Sequence, residues 1–392
     1  MDAGELRELL SLDGLRLLDE LPPAESKEDV VTAVAGLRRQ GHPPALVAAV
    51  LSQRKLRARA RAKFGEFAER MLFTEAGLEQ ATRLQVAALH AGRFADAGAT
   101  RVADLGCGIG ADALAFASLG LDVVAVDRDE VTAAIAGFNL APFSNATVRQ
   151  GEAEGFDLAG FDGVYLDPAR RSGSRRLNDA ADWSPSLDVA FGLARATASG
   201  GVKLGPGIDR ELIPADCEAQ WVSVDREVVE LGAWFGAAAR EGVRRSALVL
   251  GKHGAARLDG AADSEDEPPG GLGEYLYEPD GAVIRARLIG DLARSLDARM
   301  LHPTIAYVTA DRLMPTPFAQ AFRITATLAL DIRSLKREFA ARGIGSLEIK
   351  KRGVDVDPAA LRTKLGLRGD AAATLILTRV GERRLALLAE RV

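Results

Sequence analysis

Apolar residues recur along this chain with more than one spacing. Near the start, Leu6, Leu9, Leu10, Leu15, Leu17 and Leu18 follow a roughly helical period until Pro22-Pro23 interrupts it. Lys27–Arg39 predicts a second helix, closed by Gly41 and Pro43-Pro44, and Ala45–Arg61 a third. Residues 71–94, MLFTEAGLEQATRLQVAALHAGRF, read as a helical stretch that starts at Thr74, a residue able to act as N-cap. From Val102 the pattern changes. Val102–Leu105, Val123–Val126, Ala146–Arg149, Phe161–Leu166 and Val202–Leu204 are short apolar runs that predict strands. Between them, Ala111–Leu119, Val131–Leu140 and Leu187–Ala198 predict helices, and that alternation predicts a parallel α/β sheet. Trp221–Trp234 and Arg244–Gly251 are longer strand-like runs on either side of FGAAAREG, which predicts a hairpin.

Residues 252–273, KHGAARLDGAADSEDEPPGGLG, hold few large apolar side chains and read as a flexible linker. Beyond it, helices are predicted at Ile332–Arg342 and Pro358–Leu365 and strands at Leu347–Lys350, Thr374–Thr378 and Leu385–Leu388, an α+β pattern. The expected organisation is a helical region 1–94, an α/β core 95–251, a linker 252–273 and an α+β domain 274–392.

The α/β core is organised around RVADLGCGIGADALAFASLGLDVVAVDRD, residues 101–129: strand, glycine turn, helix, strand. The glycines remove Cβ atoms that would keep a ligand from the backbone, and the turn opens onto the positive end of a helix. Two ligand classes use such a turn. Gly106, Gly108, Ala111 and Asp127 formally satisfy the dinucleotide fingerprint. The stretch also resembles motif I of class I S-adenosylmethionine-dependent methyltransferases, D-x-G-x-G-x-G, with Asp104 ending the first strand. A carboxylate there suits an amino-acid ammonium and would repel a pyrophosphate.

Bulk properties narrow the partners. The chain has 392 residues, enough for two or three domains, with 47% hydrophobic and 27% charged residues, a globular composition. A formal net charge of -5 argues against an all-over nucleic-acid-binding surface but not against a local basic groove. Aromatic residues are 5%, too few for a dense base-stacking platform. Cys107 and Cys217 show no metal spacing and no disulfide framework, no apolar run approaches a membrane span, and no metal site is expected. These features suit a cytoplasmic protein. Arg54, Lys55, Arg57, Arg59, Arg61 and Lys63 fall on several faces of one helix, a solvated surface or a phosphate contact.

The methyltransferase resemblance extends over about 95–251, because Gly151-Glu152-Ala153 and Asp167-Pro168-Ala169-Arg170 follow the glycine turn in the family's order. It implies S-adenosyl-L-methionine as cofactor, with Gly106, Cys107, Gly108 and Gly110 as its cradle and Asp104 at its ammonium. It further implies Asp127, with Arg128 beside it, at the ribose, and Glu152 and Ala153 at the adenine. Phe73 and Thr74, just before the motif, would line the methionine end. Asp167-Pro168 matches the first half of the [DNS]-P-P-[YFW] motif of amine-methylating enzymes, so Asp167 and Pro168 would hold an acceptor amine. Ala169-Arg170 departs from the second half; Arg170 would stack on a base or clamp a phosphate. The glycine-turn stretch also resembles cores that methylate guanine N2. Residues SLEIKKRGVDVDPAALRTKL resemble the THUMP-like C-terminal domain of a bacterial methyltransferase family. The implied fold is a Rossmann-like class I core with an N-terminal helical region and a C-terminal α+β THUMP-like domain. The implied function is methylation of a base nitrogen in tRNA or rRNA. Arg170, Arg171, Arg175 and Arg176, with Lys350, Lys351 and Arg352, would form a phosphate track. A methyltransferase for a small molecule or a protein, and a non-catalytic Rossmann-type nucleotide-binding protein, are the alternatives.

Overall fold

The computed structural model describes residues 1–21, 34–169, 171–172, 175–176, 183–252 and 254–392; at 171–172 and 175–176 it describes the backbone only. These residues pack as two units: 1–203 with 234–239, and 204–233 with 240–392.

In the first unit, β1 (Arg101–Leu105), β2 (Asp122–Asp127), β3 (Ala146–Gln150), β4 (Gly163–Leu166) and, after a two-stranded ribbon of β5 (Arg171–Ser172) and β6 (Arg175–Arg176), β7 (Ser199–Leu204) are the strands. Their order in the sheet is β7-β4-β1-β2-β3, and every pairing among them is parallel. The chain therefore winds outward from β1 through β3 and returns on the other side at β4, which creates a switch point between β1 and β4. Register aligns the strand ends: Leu105 lies opposite Val126 on one side and Leu166 on the other. The residues that follow these strands emerge along a single edge.

Helices Ala111–Ser118, Glu130–Leu140 and Leu187–Arg195 connect the strands. Asp129 starts the second of these by accepting the Thr132 amide, as an N-cap carboxylate does. The N-terminal helices Ala3–Leu9, Leu12–Glu20, Pro44–Phe64, Glu75–Gln80 and Leu84–Asp96 are not a separate body. Leu9, Val50, Phe64 and Phe94 belong to one apolar core with Val102, Phe116 and Ile135 of the sheet and its helices. Of the expected helix at Lys27–Arg39, residues 34–39 are helical and the rest lies outside the described residues.

In the second unit, the expected hairpin between Trp221–Trp234 and Arg244–Gly251 takes a different form. The first run is two strands, β8 (Glu218–Val224) and β9 (Glu227–Gly236), broken at Asp225-Arg226, where both residues are left-handed at φ 48 and 71. A polar pair with two positive φ angles is what a tight turn requires. β10 (Arg245–Gly251) pairs with β8 in parallel, so FGAAAREG closes no hairpin. Within the expected linker, Gly254–Gly260 forms β11, antiparallel to β10. Leu258 is its one large apolar residue, between Arg257 and Asp259, a pattern too polar to read as a strand but adequate for an edge.

A seven-stranded sheet completes this unit: β12 (Tyr275–Pro279), β13 (Arg299–His302), β14 (Ile305–Ala310), β15 (Ala319–Ala329), β16 (Ile344–Lys351), β17 (Ala371–Val380) and β18 (Arg383–Arg391), ordered β13-β14-β12-β15-β18-β17-β16. Helices Ile332–Ala341 and Pro358–Leu365 bury Leu335, Phe339, Leu361 and Leu365 against its strands.

Candidate active site

Gly106, Gly108 and Gly110 all hold positive φ, at 81, 56 and 86, a region that costs a side-chain-bearing residue and costs glycine nothing. The Gly106 and Cys107 amides bond the Val126 carbonyl at 2.8 and 3.0 Å, and the Gly108 amide donates to Asp127 Oδ2 at 3.0 Å. Asp127 also accepts from the Asp129 amide at 3.0 Å. Burial nevertheless raises its carboxyl above the ordinary value, against those two amides. Gly106 faces the end of β4: a Cβ built there would lie 3.0 Å from the Asp167 carbonyl oxygen. The glycine turn and the Asp-Pro-Ala segment are therefore backbone neighbours at the switch point.

Asp104 lies behind the turn, 1% exposed, and its Oδ2 has no hydrogen-bond partner. Burial first, then the charges of Asp112 and Asp167, push this carboxyl well above the ordinary carboxylate range; Lys203 and the Ala113 amide oppose them. Cys107 is buried, and burial followed by Asp104 and Asp127 raises its thiol well above the ordinary value. Glu152 is exposed, Ala153 is buried, and Arg128 donates from Nη1 to Ser184 Oγ at 2.9 Å.

Asp167 is one-third exposed, and its Oδ2 receives Lys203 Nζ at 2.5 Å. Pro168 is buried, and Ala169 exchanges backbone hydrogen bonds with Ser184 at 2.8 and 3.2 Å. Arg170 lies outside the described residues, as do the side chains of Arg171, Arg175 and Arg176.

The segment before the motif lies across the turn. Gly77 packs on Ile109, where a Cβ would meet Cγ2 at 2.5 Å. Asn139 Nδ2 bonds both the Leu72 and Ile109 carbonyls, at 3.1 and 2.9 Å. Thr74 caps the Glu75–Gln80 helix, accepting the Gly77 amide at 2.9 Å. Phe73 is a core residue: its ring is fully buried beside Phe64, and its backbone is held by Gln53 at 2.7 and 3.0 Å. It backs Thr74 rather than offering a surface.

Several of these residues carried little sequence signal. Asp112 is buried, accepting from Thr82 Oγ1 at 2.7 Å and paired with His90 Nδ1 at 2.8 Å. Burial opposes its charge, yet His90, Lys203 and Thr82 hold its carboxyl below the ordinary value. The His90 ring packs beside Tyr165 and Trp234, and the Tyr165 hydroxyl lies 3.0 Å from Nδ1. A polar residue inside an apolar helix, as Asp112 is, was one available clue. Lys203, a lone cation in the SGGVKL strand, was another.

Four cations of the basic run on Pro44–Phe64 have partners within the fold. Arg57 bonds the Met71 carbonyl at 2.9 Å, Arg59 pairs with Glu75 at 2.8 Å, and Arg61 pairs with Glu69. Lys63 Nζ bonds the Leu78, Glu79 and Ala81 carbonyls at 2.8, 2.7 and 2.8 Å. In the second unit, Lys350 is bound to Glu278 at 2.8 Å and Arg352 lies over the Tyr307 ring at 5.5 Å. No group of acids, histidines and cysteines able to hold a metal occurs among the described residues, and no described helix is long and apolar enough to cross a membrane.

An uncharacterized S-adenosylmethionine-dependent methyltransferase of Mycobacterium tuberculosis is 34% identical over 339 residues, 83% of this chain and 91% of the relative. The chain belongs to the S-adenosylmethionine-dependent methyltransferases. A family described as THUMP domain-like matches residues 319–391, and a domain of unknown function matches 2–60. A crystal structure from Porphyromonas gingivalis W83, provisionally assigned as a methyltransferase, shares the fold of this methyltransferase at a TM-score of 0.73. It is 20% identical and covers 94% of this chain and 99% of its own. The cofactor is S-adenosyl-L-methionine, and the dinucleotide alternative falls away.

Proposed function

We propose that this methyltransferase modifies a base nitrogen in RNA, with Asp167 and Pro168 holding the acceptor amine beside the cofactor turn. The observation that carries the proposal is the contact of Gly106 with the Asp167 backbone, which sets the acceptor acid next to the glycine cradle. Methyl transfer needs nucleophile, methyl and sulfur in line, so adjacency of the two sites is the first requirement. An amine conjugated to a base ring has a delocalised lone pair. Acceptors for its N–H groups, the Asp167 carboxylate and the Pro168 carbonyl, draw that density back to nitrogen and orient it.

The residues fit the cofactor. Gly106, Gly108 and Gly110 leave the backbone open, and Asp127 would accept from the ribose hydroxyls. Asp104 has an unpartnered buried oxygen of the kind a ligand cation compensates. Glu152 and Ala153 would lie at the adenine, and Arg128 beside the ribose. Bound there, the cofactor supplies an electrophilic methyl on a sulfonium. Arg170 would lie on the base or a phosphate. The THUMP-like match at 319–391 supports an RNA acceptor.

The internal pairing of Arg57, Arg59, Arg61, Lys63 and Lys350 favours a second reading, a small-molecule or protein acceptor. Incubation with methyl-labelled cofactor and total RNA from a strain lacking the gene separates the two. RNA should become labelled, and Asp167→Ala should lower the rate on the order of 10²-fold or more. Label confined to protein or small molecules would overturn the RNA acceptor. A rate unchanged by Asp167→Ala would remove that residue from the chemistry.

A further inference from the structure

Asn139, buried near the end of the Glu130–Leu140 helix, ties the glycine turn to a segment far ahead of it in the sequence. Its Oδ1 accepts the Leu72 amide at 2.8 Å, and its Nδ2 donates to the Leu72 and Ile109 carbonyls at 3.1 and 2.9 Å. An amide on the oxygen and two carbonyls on the nitrogen admit one orientation of the side chain. The next residue of the segment is held in the same manner by a second buried amide: Gln53 takes the Phe73 amide at 3.0 Å and the Phe73 carbonyl at 2.7 Å. Asn139 adds a bond to the turn itself. Ile109 sits there between Gly108 and Gly110, and its peptide with Gly110 is anchored at both ends. The Ile109 carbonyl accepts from Asn139, and the Gly110 amide donates to the Cys107 carbonyl at 2.9 Å. A peptide unit is planar, so anchoring both polar groups fixes its plane. The same helix packs on Gly110, where a Cβ would lie 3.4 Å from Leu140 Cδ1, and the Ile109 side chain lies against Gly77 of the segment that crosses the turn.

We propose that Asn139 is a positioning residue for the cofactor: by binding Leu72 and Ile109 with one amide, it locks the glycine turn and the segment before it into a single arrangement that S-adenosyl-L-methionine meets already formed. The glycines that open the turn to a ligand also give its backbone many other conformations to visit. A binding conformation populated only part of the time lowers apparent affinity by that fraction, so the clamp acts through cofactor affinity. The proposal rests on the cofactor turn and not on the identity of the acceptor.

Calorimetry of S-adenosylhomocysteine binding, run well below the unfolding midpoint of each variant, tests this without any acceptor, so its failure leaves the RNA reading untouched. Asn139→Ala should weaken binding about tenfold, the loss expected if the turn is competent about a tenth of the time. Asn145→Ala is the matched control. The Asn145 Nδ2 bonds the Ala117 and Leu121 carbonyls at 2.9 and 2.8 Å, at the end of the Ala111–Ser118 helix away from the turn. That variant should unfold at lower urea and bind with wild-type affinity. An Asn139→Ala protein that binds like wild type, or equal weakening in the two variants, would overturn the proposal. Should Asn139→Ala fail to fold, hydrogen exchange of the unaltered protein decides. Adding S-adenosylhomocysteine should slow exchange at the Leu72 amide together with Gly110, and protection of Gly110 with Leu72 unchanged would refute the coupling.

Discussion

Gly106 shows how one residue can serve backbone and site together. Its φ of 81 and the 3.0 Å approach of the Asp167 carbonyl both disfavour a side chain. Gly106→Ala should cost about 1–3 kcal/mol of stability and also separate the turn from Asp167. Urea unfolding should report the first effect and S-adenosylhomocysteine calorimetry the second. These glycines were legible in the sequence because residue type itself reports positive φ. Asp127 and Asp167 were legible because each closes an apolar run that ends at the same sheet edge, and Asp104 because it interrupts one. Lys203 was not, because its bond to Asp167 depends on β7 lying beside β4, a long-range pairing that no local window contains. The packing of Phe73 against Phe64 was hidden for a related reason: an aromatic ahead of a motif reads alike whether it faces a ligand or another ring.

The Glu75–Gln80 helix is too short to hold itself together and depends on its ends. Thr74 closes one end, while Lys63 takes three of the terminal carbonyls and Lys203 a fourth. Orphan carbonyls at a helix C-terminus are where cations bind well. Lys63→Ala should therefore cost about 1–3 kcal/mol and speed hydrogen exchange across 75–82, while residues 187–195 remain unaffected. A uniform change across both helices would contradict this local role. The basic run looked like a surface feature because composition records charge and not partners. Only the fold shows Arg57 reaching Met71, and Lys63 reaching a helix that begins twelve residues later.

For the whole molecule, alternation of apolar runs was enough to foresee a parallel sheet and its order of strands and helices, since each βα step is a local event. The pairing of β10 with β8 and the strand at Gly254–Gly260 were hidden, the first by its long range and the second by its polarity. The THUMP-like match likewise covers only part of a sheet. It begins at Ala319, yet β15 pairs with β12, and Phe322 shares a core with Leu276, Leu301, Ile305 and Tyr307. A fragment of residues 319–392 should therefore expose a strand edge and apolar surface and aggregate. A well-dispersed NMR spectrum from that fragment would contradict this.

The division into units also has an evolutionary cost. The chain passes from one unit to the other after Lys203, returns before Trp234 and leaves again after Ala239. No single recombination event can graft one unit onto a foreign partner, because a lone crossover leaves the hexapeptide 234–239 or the stretch 204–233 with the wrong parent. Chimeras between distant relatives should therefore be more stable when all three junctions, after Lys203, Ala233 and Ala239, are matched than when one is.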